Sequence, residues 1–215
     1  MYSFWQYQRW QRFLVSRLGD LNGKVVLDMS TGTGLVAAHI TQRWKAQVVG
    51  VDVSPGMLRE AQQSLSQKGM VGDISLVLGR AESPPFAQGA FDAVIFTYLL
   101  RYVEDVPSVI SQLAGLVKPG GAMASLEFAV PRPIWFKAPW LAYTHLAMPI
   151  SMRLISPSWS RVGRFLGPSI RRLYRQYPQE QQLALWRQSG IRDVKAKYLS
   201  LGAALVTWGT KGPTT

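Results

Sequence analysis

The chain contains no cysteine, which excludes disulfide bonds, thiolate metal sites and cysteine nucleophiles. This absence is consistent with a reducing compartment. Histidine occurs only at His39 and His145, so a histidine-rich metal site is not expected. No apolar run reaches membrane-spanning length, and residues 1–18 lack the apolar core and cleavage site of a signal peptide. The 215 residues therefore predict a single domain in the cytoplasm.

Acidic side chains are also scarce, with 12 Asp and Glu against 24 Lys and Arg, which gives a net charge of +12. From Pro131 to Pro178 there is no acidic residue at all, while eight Arg or Lys and eight aromatic residues are present. Such a segment favours an anionic and partly apolar partner, either a membrane surface or a nucleic acid. The alternative is a solvated basic face over an ordinary aromatic core.

Strand-like and helix-like segments alternate along the chain, which predicts a Rossmann-like α/β fold with helices on both faces of a mostly parallel seven-stranded sheet. Residues 1–20 predict an amphipathic helix, and residues 131–178 predict a helical cap inserted after the fifth strand. The last strand is expected to be antiparallel. The predicted strands are Lys24–Met29, Gln47–Val53, Ile74–Leu78, Phe91–Thr97, Ala122–Phe128, Val194–Tyr198 and Ala203–Trp208.

The most informative motif runs from Asp28 to Gly34, between the first strand and the first helix that follows it, and reads Asp-Met-Ser-Thr-Gly-Thr-Gly. A second strand ends in Asp52, 24 positions after Asp28. Glycines let a backbone approach a ligand closely, and an acid at this spacing can accept hydrogen bonds from ribose hydroxyls. The motif therefore predicts a nucleoside-type cofactor, although an ordinary tight turn is the alternative. The spacing of a dinucleotide site, Gly-x-Gly-x-x-Gly, is absent.

The pattern Asp-x-Ser-x-Gly-x-Gly resembles motif I of class I S-adenosylmethionine (SAM) methyltransferases. Further blocks, at 91–94, 97–103, 116–121 and 165–170, make nearly the whole chain similar to the ubiquinone/menaquinone biosynthesis C-methyltransferase family. Two positions depart from that family's pattern: Tyr102 stands where it has Asn, and Arg80 stands where an acid or Asn is common.

The resemblance implies SAM as the cofactor and assigns its contacts. The Ser30–Gly34 loop would hold the methionine part, and Asp52 the ribose hydroxyls. Met57 would cover the adenine unless it packs in the core, and the N–H of Ala81 would meet an adenine nitrogen, whereas Glu82 could be only a surface acid. The predicted cofactor-binding residues are Asp28, Ser30, Thr31, Gly32, Gly34, Asp52, Val53, Met57, Ala81, Glu82 and Thr97.

Three residues are predicted to act on the substrate. Arg101 is expected to stabilise a phenolate-like oxygen, because a guanidinium offers several donors. The alternative for Arg101 is a surface ion pair with Glu104 or Asp105. Tyr143 and His145 lie in the predicted cap, where either could act as an acid, a base or a hydrogen-bonding partner of the substrate.

The resemblance thus implies C-methylation of a lipophilic, membrane-held quinol precursor such as demethylmenaquinol. Phospholipid (phosphatidylethanolamine) N-methylation and methylation of a soluble small molecule are the alternative enzyme functions. A basic nucleic-acid-binding module is the alternative from another class, but a nucleic-acid partner is not favoured because such a module needs no cofactor loop. Peripheral association with an anionic membrane is expected from the basic aromatic segment. Nothing in the sequence indicates an oligomeric state.

Overall fold

The structure, a computed structural model, describes residues 2–70, 72–131, 135 and 157–213, without the side chains of residues 2–5 and 157–164. Tyr143 and His145 therefore lie outside the described residues. The described helices are, in chain order, α1 (Tyr2–Val15), α2 (Leu35–Arg43), α3 (Pro55–Gln67), α4 (Val106–Leu116), α5 (Pro157–Gln176) and α6 (Gln179–Gln188). None of the helices in this part of the chain is long and apolar enough to cross a membrane.

A seven-stranded sheet forms the centre of the fold, with strand order β3-β2-β1-β4-β5-β7-β6. Strands β1 to β5 pair in parallel, and β7 lies antiparallel to both β5 and β6. The prediction of a mostly parallel sheet with an antiparallel last strand is confirmed. The strands are β1 (Val25–Met29), β2 (Gln47–Asp52), β3 (Ile74–Leu78), β4 (Phe91–Thr97), β5 (Val117–Phe128), β6 (Ile191–Leu199) and β7 (Ala204–Lys211).

Helices cover both faces of the sheet because every central strand is apolar on both sides. On one face α1 and α2 pack with β1 and β2, and Leu14 and Ile40 are completely buried there. On the other face α4, α5 and α6 pack against the sheet through residues such as Leu113, Leu173 and Trp186. A parallel sheet requires burial of both faces, and the helices on both sides confirm the predicted architecture.

Two strands start earlier than predicted. β5 begins at Val117 because Val117 pairs with Phe91, the first residue of β4, and the glycine-rich turn at 118–121 forms the register shift between Phe91 and Ala93. β6 begins at Ile191, and a second register shift between Arg192 and Lys195 separates its two halves. In both cases the irregular pairing interrupts the alternation of apolar and polar residues that the sequence reading depends on.

The order of the strands determines where a ligand can bind. β1 lies between β2 and β4, so the chain changes direction across the sheet at β1. In open α/β sheets, ligands bind beyond the carboxyl ends of the strands at such a switch point. Asp28, Asp52 and Thr97, which lie at or next to the ends of β1, β2 and β4, are brought to this edge.

Candidate active site

The loop between β1 and α2 makes a tight turn that needs its glycines. Gly32 has a φ of 56° and Gly34 a φ of 74°, both in the left-handed region that other residues rarely adopt. A Cβ atom built on Gly32 would meet no atom within 4 Å, whereas one on Gly34 would lie 3.3 Å from the side chain of Leu65. Gly32 therefore faces open space, and Gly34 allows α2 and α3 to pack closely.

Asp52 holds this loop in place from the neighbouring strand. Its Oδ2 accepts a hydrogen bond from the N–H of Gly32 at 2.8 Å, and its Oδ1 accepts one from the N–H of Ser54 at 2.9 Å. Each carboxylate oxygen has a further lone pair, so both can accept another hydrogen bond. Asp52 thus combines a structural role with remaining acceptor capacity at the edge of the sheet.

Two adjoining cavities open at the carboxyl ends of the strands. The larger, which we call the loop cavity, has a volume of about 340 Å³ and is lined by the β1–α2 loop, α1 and the end of β4. The smaller, the strand-end cavity, has a volume of about 110 Å³ and lies against Gly79, Arg80, Ala81 and Glu82. Five residues line both cavities, namely Ser30, Asp52, Val53, Leu99 and Tyr102.

Most of the predicted cofactor residues line one or both of these cavities. Ser30, Thr31, Gly32, Asp52, Val53, Met57 and Thr97 line the loop cavity, and Ala81 and Glu82 line the strand-end cavity. Met57 is 45% exposed, so the alternative that it packs in the core is wrong. Glu82 pairs with Arg80 at 3.8 Å on the rim of the smaller cavity.

Asp28 lies beneath the loop and lines neither cavity. Its Oδ2 accepts a hydrogen bond from the hydroxyl of Thr31 at 2.7 Å, while its Oδ1 has no partner in the described part of the chain. Burial raises the pKa of Asp28 to about 7, despite the opposing effect of the Thr31 hydrogen bond. Asp28 therefore supports the loop from below.

Arg101 is buried, with 7% of its surface exposed, in the turn that follows β4. Its Nη2 donates to the hydroxyl of Tyr102 at 3.3 Å, and its Cζ lies 5.2 Å from the ring centroid of Tyr98 and 5.1 Å from that of Phe128. The alternative of a surface ion pair with an acid in the next few residues is wrong, because the guanidinium is buried among rings. Arg101 lines neither the loop cavity nor the strand-end cavity but sits behind the rings of their wall.

A buried polar cluster surrounds this guanidinium, consisting of Tyr98, Arg101, Glu127 and Tyr174. Oε1 of Glu127 accepts a hydrogen bond from the N–H of Leu100 at 2.8 Å. Oε2 of Glu127, Nε and Nη1 of Arg101, and the hydroxyls of both tyrosines are buried without a hydrogen-bond partner among the described residues. Burial raises the pKa of Glu127 to about 7, and the nearby charge of Arg101 opposes that rise.

Sequence reasoning missed Tyr7, Gln11 and Tyr98, all of which line the loop cavity. Tyr98 has a φ of 57°, an uncommon conformation for an aromatic residue, directly after β4. Its ring stacks between those of Tyr7, at 5.6 Å, and Phe128, at 4.3 Å. Tyr98 could have been predicted as a site residue because it directly follows β4. Tyr7 and Gln11 could not, because nothing in the sequence places α1 against this edge of the sheet.

Comparison with known proteins identifies the family. The model of the ubiE/COQ5 methyltransferase family matches residues 1–211. The chain belongs to this family. It is 33% identical to the ubiquinone/menaquinone biosynthesis C-methyltransferase UbiE of Desulfotalea psychrophila, over 96% of this chain and 81% of that protein. It is 29% identical to the demethylmenaquinone methyltransferase of Geobacillus kaustophilus, over 97% and 88% of the two chains.

Solved structures agree on the fold. A SAM-dependent methyltransferase from Aquifex aeolicus superposes with a TM-score of 0.65 at 13% identity, covering 93% of this chain and 88% of that one. Together with membership of the ubiE/COQ5 family, this confirms a SAM-dependent methyltransferase with a Rossmann-like fold.

The residues that line the two cavities suit the chemistry of SAM. SAM carries an adenine and a methionine part on either side of a ribose, and Asp52 lies where the two cavities meet, with acceptor capacity for ribose hydroxyls. The start of α2, where Gly34 provides no side-chain cap, suits the methionine carboxylate because a helix N-terminus attracts anions. When bound, SAM supplies an electrophilic methyl group on a sulfonium. In this family member the Ser30–Gly34 loop, Asp52 and the Ala81 backbone are the groups that would hold it.

Proposed function

We propose that this methyltransferase transfers the methyl group to a ring carbon of a reduced, lipophilic quinol held in a membrane. The chain's relatives are named for ubiquinone and menaquinone biosynthesis and for demethylmenaquinone methylation. The observation that carries the proposal is the stack of Tyr7, Tyr98 and Phe128 beside the loop cavity, with a buried guanidinium behind it.

This aromatic wall suits a flat aromatic substrate. Tyr7 and Tyr98 line the loop cavity, and their rings are nearly parallel, 17° apart. Aromatic rings stacked in this way bury apolar area and add about 0.5–1.5 kcal/mol per pair beyond that burial. A quinol ring is flat, apolar on its faces and polar at its edge, so it matches both the wall and the polar atoms beside it.

The buried charge of Arg101 suits the chemistry. Methylation of a ring carbon needs a phenol that becomes phenolate-like, and a guanidinium in a water-poor environment stabilises that negative charge strongly. Arg101 has two nitrogens, Nε and Nη1, without a partner among the described residues, so donors remain for a substrate oxygen or a bridging water. Methylation of a lipid amine would need no such group. Tyr143 and His145 remain predicted acid, base or hydrogen-bonding groups of the cap.

The test is a comparison of methyl acceptors under defined redox conditions. Purified protein and labelled SAM are incubated with demethylmenaquinone or a benzoquinone precursor, with and without dithionite, and with phosphatidylethanolamine. We expect transfer to the reduced quinol only, because an oxidised ring is too electron-poor to attack a sulfonium. Transfer to phosphatidylethanolamine with none to the reduced quinol would replace this proposal with phospholipid N-methylation.

A peripheral membrane contact would bring the protein to such a substrate, and α5 is the element that suits it. Ile170 and Leu173 on α5 are buried against the core, whereas Arg172 and Arg175 are exposed and Phe165 is 41% exposed. α5 has no acidic residue. An exposed basic surface beside an aromatic side chain is attracted to anionic lipid headgroups, by up to about 1 kcal/mol for each cation near the surface.

Sedimentation with vesicles tests this contact. Binding to phosphatidylglycerol-containing vesicles should be clear at low salt, fade at high salt and be weak with pure phosphatidylcholine vesicles. The double substitution Arg172→Ser and Arg175→Ser should weaken binding about tenfold or more. The control substitutes Arg59 and Arg187, two exposed arginines on other helices, by serine and leaves binding nearly unchanged. Equal loss in both double variants would contradict a contact through α5.

A further inference from the structure

The buried polar cluster around Arg101 holds more unpaired polar atoms than a structural role explains. Oε2 of Glu127, Nε and Nη1 of Arg101, and the hydroxyls of Tyr98 and Tyr174 are all buried without a hydrogen-bond partner in the described part of the chain. Buried polar groups are nearly always hydrogen-bonded, and exceptions mark an ordered water or a catalytic role. Five such atoms around one carboxylate and one guanidinium call for a functional explanation.

The cluster adjoins the cavity in which the substrate is proposed to bind. Tyr98 lines the loop cavity, and its ring stacks on that of Phe128 at 4.3 Å, next to Glu127 on β5. Burial raises the pKa of Tyr98 and of Tyr174, and the nearby charge of Glu127 adds to both rises. The charged and titratable groups that act on one another here are Arg101 and Tyr98 after β4, Glu127 on β5 and Tyr174 on α5, together with Tyr7 on α1 beside Tyr98 and Tyr198 on β6 beside Tyr174.

The two carboxylate oxygens of Glu127 differ in their hydrogen bonding. Its Oε1 accepts a hydrogen bond from the N–H of Leu100 at 2.8 Å, which fixes the carboxyl against the turn that carries Arg101. Its Oε2 has no partner among the described residues. An unpaired carboxylate oxygen, two tyrosine hydroxyls and a guanidinium N–H offer the two to four polar partners that a buried water requires.

We propose that Glu127 receives the proton that the quinol loses during methyl transfer, by way of a water bridging Oε2 to the hydroxyls of the cluster. This inference rests on the proposed function. The O–H bond of the quinol breaks and its electron pair moves into the ring. The ring carbon then bonds to the methyl group while the bond between methyl and sulfur breaks. Loss of the ring hydrogen as a second proton restores the aromatic ring. Reprotonation of the oxygen leaves one net proton to be released.

The charge balance of the cluster supports this role. Burial raises the pKa of Glu127 to about 7, which is the range in which a carboxylate is an effective base near neutral pH. The nearby charge of Arg101 opposes this rise and so favours the ionised form of Glu127. Glu127 lines neither cavity, so it acts through the water and the neighbouring side chains rather than by touching the substrate.

The test compares Glu127→Gln with Glu104→Gln. Glutamine retains the acceptor for the N–H of Leu100 but takes up no proton, whereas Glu104 is an exposed acid near the same turn. At pH 8, Glu127→Gln should lower the single-turnover transfer rate to the reduced quinol by about 100-fold. It should also abolish the rise of that rate between pH 6 and pH 8, with the dissociation constant for S-adenosylhomocysteine within about twofold of wild type. Glu104→Gln should keep both the rate and its pH dependence.

A second measurement does not depend on turnover. In the wild-type protein labelled with ¹³C at the glutamate carboxyls, one signal should titrate near pH 7 and be missing in Glu127→Gln, or in Glu127→Asp if the glutamine variant does not fold. A wild-type rate and pH profile in Glu127→Gln, or no carboxyl titrating above pH 6, would overturn the role of Glu127. A wild-type protein that binds S-adenosylhomocysteine but methylates no reduced quinol would instead overturn the proposed function, and the proton acceptor with it.

Discussion

Replacing Asp52 by alanine should weaken cofactor binding by an amount that follows from its contacts. The substitution removes the acceptors of the Gly32 N–H, at 2.8 Å, and of the Ser54 N–H, at 2.9 Å, together with the proposed acceptor of the ribose hydroxyls. A hydrogen bond to a charged group contributes about 1.5–3 kcal/mol. Since about 1.4 kcal/mol corresponds to a factor of ten, the loss in affinity is expected to be roughly 10-fold to 150-fold.

Isothermal titration calorimetry with S-adenosylhomocysteine measures this effect directly, below the melting temperature of each variant. Asp52→Asn keeps one acceptor oxygen and should fall between wild type and Asp52→Ala. Asp73→Ala, at an exposed acid before β3, is the matched control and should bind like wild type. If the folded Asp52→Ala variant binds S-adenosylhomocysteine within twofold of wild type, Asp52 does not hold the cofactor.

Three further outcomes follow from the same site. Gly32→Val should lower the affinity for S-adenosylhomocysteine about tenfold, through backbone strain and a side chain in the cavity, whereas Gly19→Val, at a similarly positive φ away from the cavities, should not change it in calorimetry. Arg101→Ala should lower turnover about 100-fold while leaving that affinity nearly intact in the same assay. Because burial raises the pKa of Asp28 and of Glu127 to about 7, the protonated forms stabilise the fold below pH 4, and this contribution is lost as the pH rises to 7. The melting temperature of the free protein should therefore fall between pH 5 and pH 8, and less steeply in Asp28→Asn; an equal slope would contradict the assignment.

The sheet and the cofactor loop could be predicted because their signals are local. Apolar runs ending in Asp28 and Asp52, with glycines at fixed offsets, predict strand ends and a tight turn. The parallel topology brings those ends together whatever the details of packing. β3 and β4 were predicted with the bounds that the structure gives them.

The buried polar cluster could not be predicted because tertiary packing assembles it. Tyr98, Glu127 and Tyr174 come from two strand ends and a helix far apart in the sequence. An acid within the apolar run of β5 was the one local signal for Glu127. Arg101 is buried and forms no surface ion pair with Glu104 or Asp105. The sequence could not show this, because acids nearby in the chain do not indicate which way a turn faces.

Locating the transferred methyl group shows whether this enzyme methylates a quinol ring carbon. Wild-type protein is incubated with SAM carrying a ¹³C-labelled methyl group and dithionite-reduced demethylmenaquinone, and the product is analysed by NMR and mass spectrometry. We expect one label bonded to a ring carbon and S-adenosylhomocysteine formed in equal amount. A label on oxygen, or no labelled quinol from protein that binds SAM, would contradict it.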